Sequence, residues 1–216
     1  MINITELTRR PAPFVTPQSL ACDGEHLWIS SRDLGTYLKV DARSLEVVEE
    51  IDPPGLVWAA VLTNDGWRLT IGKGLNDDRY VYRYTPGGRF VRLFACPEFA
   101  GSYLSFDGSS LYLSRWYKGQ IHRLDDSGTI SRTIDIGAEI CGHTFADGML
   151  YVLRGTEENS ESWSIARVDL RKETPAISDL AAVPFACRSL AFEGDKFWTN
   201  HRAAGEVVSF SLPPPI

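Results

Sequence analysis

Five basic entries recur along the chain at comparable places: Arg32, Lys73, Arg115, Arg154 and the pair His201-Arg202. Each follows a short apolar stretch such as Leu27-Trp28-Ile29 or Leu111-Tyr112-Leu113. The chain carries a net charge of −6, so a repeated cation is not a by-product of a basic composition. An arginine fork grips carboxylate or phosphate through parallel hydrogen bonds. Cations gathered round one opening focus a positive potential. The chemistry implied is capture of a small anion. His143 adds a group whose ordinary pKa lies near neutrality, suited to general acid or base work; with Arg115 it is the catalytic pair expected if the chain is an enzyme. The ordinary alternative is that these cations pair with nearby loop acids, Asp33, Asp77, Asp78, Glu157 and Glu158, in exposed ion pairs of little energetic weight. For His143 the alternative is a histidine bonded to a backbone carbonyl.

The elements that would position them repeat. Asp23-Gly24, Asp65-Gly66, Asp107-Gly108, Asp147-Gly148 and Glu193-Gly194 are spaced by 42, 42, 40 and 46 residues. A period of roughly 40–50 residues rich in strand formers marks propeller blades. Each acid-Gly pair reads as a hairpin turn, because glycine tolerates positive φ. A short apolar strand precedes it and another follows it. A third strand alternates, as in Tyr80-Val81-Tyr82-Arg83-Tyr84 and Gln120-Ile121-His122-Arg123-Leu124, and period two is what a strand requires. A fourth completes the repeat. The expected fold is all-β, one domain, a five-bladed β-propeller of four-stranded antiparallel blades. The blades fall near residues 16–52, 57–95, 100–137, 140–184 and 187–212. The fifth repeat stops before Pro213-Pro214-Pro215 without its fourth strand, and residues 2–9, with apolar residues at 2, 4 and 7, are expected to supply it.

Composition narrows the partners. The 216 residues are 44% hydrophobic and 23% charged, with no run of like charge. Nucleic acid and anionic membrane need a basic face, so neither is expected. The first ten residues have no apolar signal core, and a cytoplasmic monomer is the expectation. Cys22, Cys96, Cys141 and Cys187 form no CxxC pair and read as reduced thiols packed like small apolar residues.

The segments Leu190-Ala-Phe-Glu-Gly-Asp-Lys-Phe-Trp198 and Leu20-Ala-Cys-Asp-Gly-Glu-His-Leu-Trp28 resemble the repeat of the NHL, gluconolactonase and streptogramin-lyase propellers. The resemblance spans nearly the whole chain and implies fold more than function, since such propellers include enzymes, sensors and scaffolds. It implies that the loops after each second strand and the connections between blades share one face. That would gather the five basic entries at one mouth of the axis, joined by Gln18, Trp58, Tyr103, His143 and Arg188, with Trp116 and Tyr117 as an aromatic wall. Tyr103 reads as a plug in the axial channel. Gluconolactonase-like propellers hold a divalent metal on the axis. The matching positions here are Ser19, Ala21, Val61, Thr63, Tyr103, Ser105, His143, Phe145, Ser189 and Ala191, without a carboxylate. Hard cations need oxygen ligands, usually acids, so no metal is expected. Streptogramin lyases would require a His/Glu set near the axis, and only His143 is available. Plant-type glutaminyl cyclases are also five-bladed, but their Phe-Thr-Gln-Gly-Leu and Glu-Gly-Trp-Gly segments are absent.

Two function classes remain. One is a metal-independent lyase, hydrolase or isomerase acting on an anionic substrate at the axial mouth. The other is a non-catalytic binding or interaction propeller. No motif calls for a cofactor. His122 is expected at the surface and His26 on the face opposite the mouth. The fourth repeat's loop, residues 155–162, is the longest of its kind and reads as a recognition arm or a tolerated insertion.

Overall fold

A computed structural model describes residues 1–72, 78–156 and 162–214. Its strands are β1 (Thr5–Pro11), β2 (Pro17–Cys22), β3 (His26–Ser31), β4 (Tyr37–Asp41), β5 (Val47–Ile51), β6 (Leu56–Thr63), β7 (Gly66–Gly72), β8 (Tyr80–Tyr84), β9 (Val91–Ala95) and β10 (Leu104–Phe106). They continue as β11 (Leu111–Arg115), β12 (Gln120–Leu124), β13 (Ile130–Asp135), β14 (Glu139–Ala146), β15 (Met149–Thr156), β16 (Ser162–Asp169), β17 (Ala176–Val183), β18 (Cys187–Glu193), β19 (Lys196–His201) and β20 (Glu206–Ser211). Four blades run in chain order, β2–β5, β6–β9, β10–β13 and β14–β17. The fifth is β18-β19-β20-β1. The innermost strands meet in turn, β2 on β6, β6 on β10, β10 on β14, β14 on β18, and β18 on β2 again. The fold is therefore a five-bladed β-propeller.

The repeat marker has a physical meaning in three blades. The Asp23 carboxylate accepts the backbone N–H groups of Glu25 and His26 and, with its other oxygen, the Trp28 indole N–H at 2.8 Å. Glu193 accepts the Trp198 indole N–H at 2.7 Å, and Asp107 the Tyr112 hydroxyl at 2.9 Å. The acid thus shapes the hairpin and fixes the aromatic ring five residues on. Gly24 and Gly108, at φ of 97° and 96°, complete turns that a side chain would strain. The fixed rings fill the seams: Trp28 lies 4.5 Å from Trp67 between blades one and two, and Tyr112 lies 4.9 Å from Phe145 between blades three and four.

Five apolar clusters form, one in each seam between neighbouring blades. Blades with both faces in a seam bury successive residues, so β3 is almost wholly buried while the outer strand β5 is largely exposed. Closure falls to the N-terminal segment. Its outer strand runs from Thr5, opposite Ser211, to Pro11, opposite Glu206, with a bulge between Glu6 and Thr8. Residues 2–4 do something else: they add in parallel to β17 of blade four. The Ile4 N–H donates to the Ala182 carbonyl and the Ala182 N–H to the Ile2 carbonyl, each at 2.9 Å. Ile4 drops into the seam between blades four and five. The strand expected over residues 2–9 is thus divided between two blades.

Along the axis the inner strands leave little room. Tyr103 and His143 are both buried and share a small internal space of about 10 Å³ with Leu20, Ser189 and their neighbours. His143 Nδ1 is 2.6 Å from the Ser105 hydroxyl. Burial pushes the imidazole pKa down to about 3.

Two outcomes follow from this architecture. Burying a side chain such as Ile4 is worth about 1.5–3 kcal/mol, and each kcal/mol moves the melting midpoint of a chain this size by about 2–4 °C. Deleting residues 1–9 should therefore lower the midpoint by at least about 3 °C; an unchanged midpoint in thermal denaturation would refute the closure. His143 stays neutral in the folded state, whereas the unfolded chain takes up a proton near pH 6.5. Stability should fall as the pH drops from about 6.5 toward 3, by roughly 1.4 kcal/mol per pH unit from this group. His143→Gln should flatten that slope in denaturant titrations at several pH values, and parallel slopes for the two proteins would contradict it.

Candidate functional site

At the end of the axis where the strand-β3 and strand-β19 chains exit, a cavity of about 530 Å³ opens. Arg32 follows β3 and Arg202 follows β19. Arg188 comes from the start of β18, and Trp58 from β6. Arg79 precedes β8, and Ser102 lies just before β10. Two one-turn 3-10 segments complete the rim: Pro97–Phe99 brings Glu98 and Phe99, and Trp116–Lys118, after Arg115 at the end of β11, brings Trp116, Tyr117 and Lys118. Glu98 is the lone carboxylate among the described lining residues, set against five arginines and a lysine.

These cations are not equally engaged. Arg115 donates to Glu98 at 2.8 Å and to Gln120 at 3.4 Å. Arg79 lies 4.0 Å over the Trp58 ring and donates to the Ser102 hydroxyl. Arg188 is buried, donates to the Cys187 carbonyl at 2.7 Å, and sits 5.1 and 5.3 Å from the ring centres of Trp116 and Trp163. Arg202 donates to the Gln18 side-chain oxygen, a neutral partner. Burial, together with the nearby charges of Arg188 and Arg32, holds the Arg202 guanidinium below its ordinary pKa. Arg32 is exposed, and its guanidinium makes no hydrogen bond or ion pair with any described residue. Arg32, Arg188 and Arg202 thus form a like-charged trio at this end of the axis.

The structure brings together Arg32, Arg115, Arg188, Arg202, Trp58, Trp116 and Tyr117 of the residues expected at the mouth, and it turns others away. The reason is strand register. Arg32 and Arg202 stand five residues after Leu27 and Phe197, whereas Arg115, Arg154 and His201 stand four after Leu111, Leu150 and Phe197. Side chains alternate along a strand, so a difference of one residue reverses the face. The residues at the fourth position face the connection entering their own blade. Arg154 is clamped by both oxygens of Asp179 and donates to the Ile136 carbonyl. His201 packs 5.1 Å from Phe185 and lies 3.4 Å from Glu206. Neither lines the cavity, contrary to the expectation of a complete basic ring. Arg115 shares this face and reaches the rim through its bond to Glu98. Lys73 lies outside the described residues, as do Asp77 and residues 157–161 of the long fourth loop.

His143 and Tyr103 are also absent from the lining. They block the channel beneath it, and His143 opens instead on a smaller space of about 170 Å³ at the far end, among Cys22, Phe106 and Phe192. His122, expected at the surface, is buried: its Nδ1 meets the Thr133 hydroxyl at 3.0 Å and its Nε2 is 3.6 Å from Glu98. Both faces of β12 lie in seams, so His122 is buried as Ile121 beside it is, and burial lowers its pKa. Sequence reasoning missed Arg79, Glu98, Phe99 and Lys118, which belong to connecting segments and have no counterpart in the other repeats. Among the described residues no group of three or more His, Cys, Asp or Glu could hold a metal ion. Cations and aromatic rings line the same opening, chemistry that can engage an acid group together with an adjoining apolar part.

No protein-family model matches the chain, and no curated protein matches it in sequence. Solved structures do. A glutaminyl cyclase of Myxococcus xanthus is 14% identical, with 97% of each chain covered and a TM-score of 0.65. Regucalcin of Agrobacterium tumefaciens, described as a calcium-binding protein, is 14% identical over 98% of this chain and 96% of that one, with a TM-score of 0.61. Virginiamycin B lyase of Staphylococcus aureus is 13% identical over 95% and 99%, with a TM-score of 0.55. At these identities the likeness is one of β-propeller fold, which this chain builds with five blades.

Proposed function

We propose that the protein binds a small molecule bearing a carboxylate or phosphate at this mouth, with Arg32, Arg188 and Arg202 around the acid group. The observation that carries the reading is Arg202. It is partly buried beside two other guanidinium groups, yet its side chain meets only the neutral Gln18 oxygen among the described residues. An anion placed between Arg32 and Arg202 would relieve that repulsion and gain charge-assisted hydrogen bonds. Arg115 contributes less, because Glu98 already occupies it.

An enzymatic use of the same mouth, as a metal-independent lyase, hydrolase or isomerase, is favoured by one further feature. Glu98 stands at the rim between Arg115 and His122, where a carboxylate could accept a proton from a bound substrate. The binding reading needs no such step and is the one the geometry supports best.

Calorimetric titration with inorganic phosphate and with citrate at low ionic strength tests it. The native protein should bind at least one of them, and added salt should weaken binding. A charge-assisted hydrogen bond contributes roughly 1.5–3 kcal/mol, so Arg202→Met or Arg32→Met should weaken binding about tenfold or more, with Arg115→Met weakening it less. Unaltered affinity in both the Arg202 and Arg32 variants would reject the site, as would failure of the native protein to bind any small carboxylate or phosphate.

A further inference from the structure

The described residues expose two aromatic side chains to a large extent, Phe99 and Tyr117, each 74% accessible. Both line the same mouth. The other strongly exposed large apolar residues are aliphatic and lie elsewhere: near the N-terminus, on the outer strands β5 and β9, at Leu34 after β3 and at Leu62 near the end of β6. An exposed aromatic ring gives up the solvation advantage of burial, and two at one opening call for an explanation that scattered surface residues do not.

The backbone that presents Phe99 is itself unusual. Glu98 and Phe99 have φ of 50° and 58°, two successive non-glycine residues in the left-handed region. Such conformations are costly and persist where surrounding structure enforces them, often at binding sites. Here the turn is held by the Ala100 N–H bonded to the Pro97 carbonyl at 2.9 Å and by the Glu98–Arg115 pair. A relaxed turn would leave Phe99 free to fold back on the protein; this one holds it out at the rim.

Tyr117 is fixed as firmly. Its ring is stacked on Trp116 with centroids 5.0 Å apart and planes 13° apart, and Trp116 in turn lies 6.5 Å from Tyr103 on the axis. Gly119 ends the turn at φ of 59°, where a Cβ would come within 2.6 Å of the Ala138 carbonyl oxygen. The aromatic rings therefore form a stair from the axis to the rim, beside the guanidinium trio.

We infer that the anion bound at this mouth carries its acid group on a planar aromatic ring, which lies against Phe99 and Tyr117 while Arg32, Arg188 and Arg202 hold the acid. This rests on the anion-binding reading above and adds the class of molecule. Planar rings favour stacked or edge-on contact with aromatic side chains beyond what area alone gives, and a cavity of about 530 Å³ lies within the range of small-ligand sites.

The test compares charge-matched pairs by calorimetry: 3-phenylpropionate against 3-cyclohexylpropionate, and adenosine 5′-monophosphate against ribose 5-phosphate. The first pair reports a carboxylate ligand and the second a phosphate. In at least one pair the aromatic member should bind roughly three- to tenfold more tightly. Tyr117→Ala and Phe99→Ala should abolish that preference while leaving the non-aromatic member within about twofold, and Arg202→Met should weaken both members. If Phe99→Ala also disturbs the non-aromatic member, Tyr117→Ala decides. Binding of anions with no aromatic preference in either pair, or a preference that survives both aromatic substitutions, would overturn the inference and leave the anion site standing. Absence of binding by phosphate, citrate and all four probes would remove the anion site itself.

Discussion

Blades five and one are joined by a seam whose two sides lie nearly the whole chain apart in sequence, and everything at the mouth depends on that seam holding. The Ser189 hydroxyl receives the Leu20 N–H and donates to the Leu20 carbonyl, at 3.0 and 3.1 Å. The Asn200 amide donates to the Gln18 carbonyl, and the Gln18 side chain takes Arg202. The N-terminal segment reinforces both flanks of the last blade: Ile4 enters the seam with blade four, while Ala12 and Phe14 pack in the seam with blade one. Arg32 and Arg202 are neighbours only in a closed ring. A closure defect would therefore separate these two cations as it opened the apolar cluster of that seam.

Keeping like charges together works against stability, and the surroundings of the trio show how the cost is contained. Arg188 is set beside two indole rings, whose faces attract a cation. Arg202 has a neutral oxygen in place of a carboxylate, so its charge is solvated without being cancelled. Arg32 remains in water. A carboxylate in place of Gln18 would settle the arginines more firmly and would also fill the place proposed for a ligand. Local frustration of this kind is what functional sites retain when the rest of a sequence agrees with its fold.

The fold was legible because its signal is repeated five times and rests on local chemistry. An acid bonded to a ring donor five residues later leaves the same trace at Asp23–Trp28, Asp107–Tyr112 and Glu193–Trp198, and the period follows. The mouth was legible in part. A basic residue after each second strand can be seen in the sequence, but the face it points to depends on a single residue of register, which separates Arg202 from His201 and Arg32 from Arg154. The place of Tyr103 near the axis could be read from its position just before an inner strand. The burial of His122 could not, because its alternation with Arg123 fits either face until the neighbouring blade is placed. Glu98 and Phe99 left no pattern, since they sit in a connection that belongs to one blade alone.

The antiparallel pairing that sets Thr5 opposite Ser211 brings the two ends of the folded chain side by side on the rim of one blade. In such a ring the order of blades in space is cyclic, while the order in the gene is only one way of cutting the circle. A flexible linker from the end of β20 back to the segment that carries Ile4 would make the polypeptide as circular as its architecture. New termini could then be opened at an exposed hairpin, such as the turn at Gly108, without removing a strand. Circularly permuted forms would carry blades five and one as consecutive repeats, so the seam that now depends on distant segments would become a local contact of the chain.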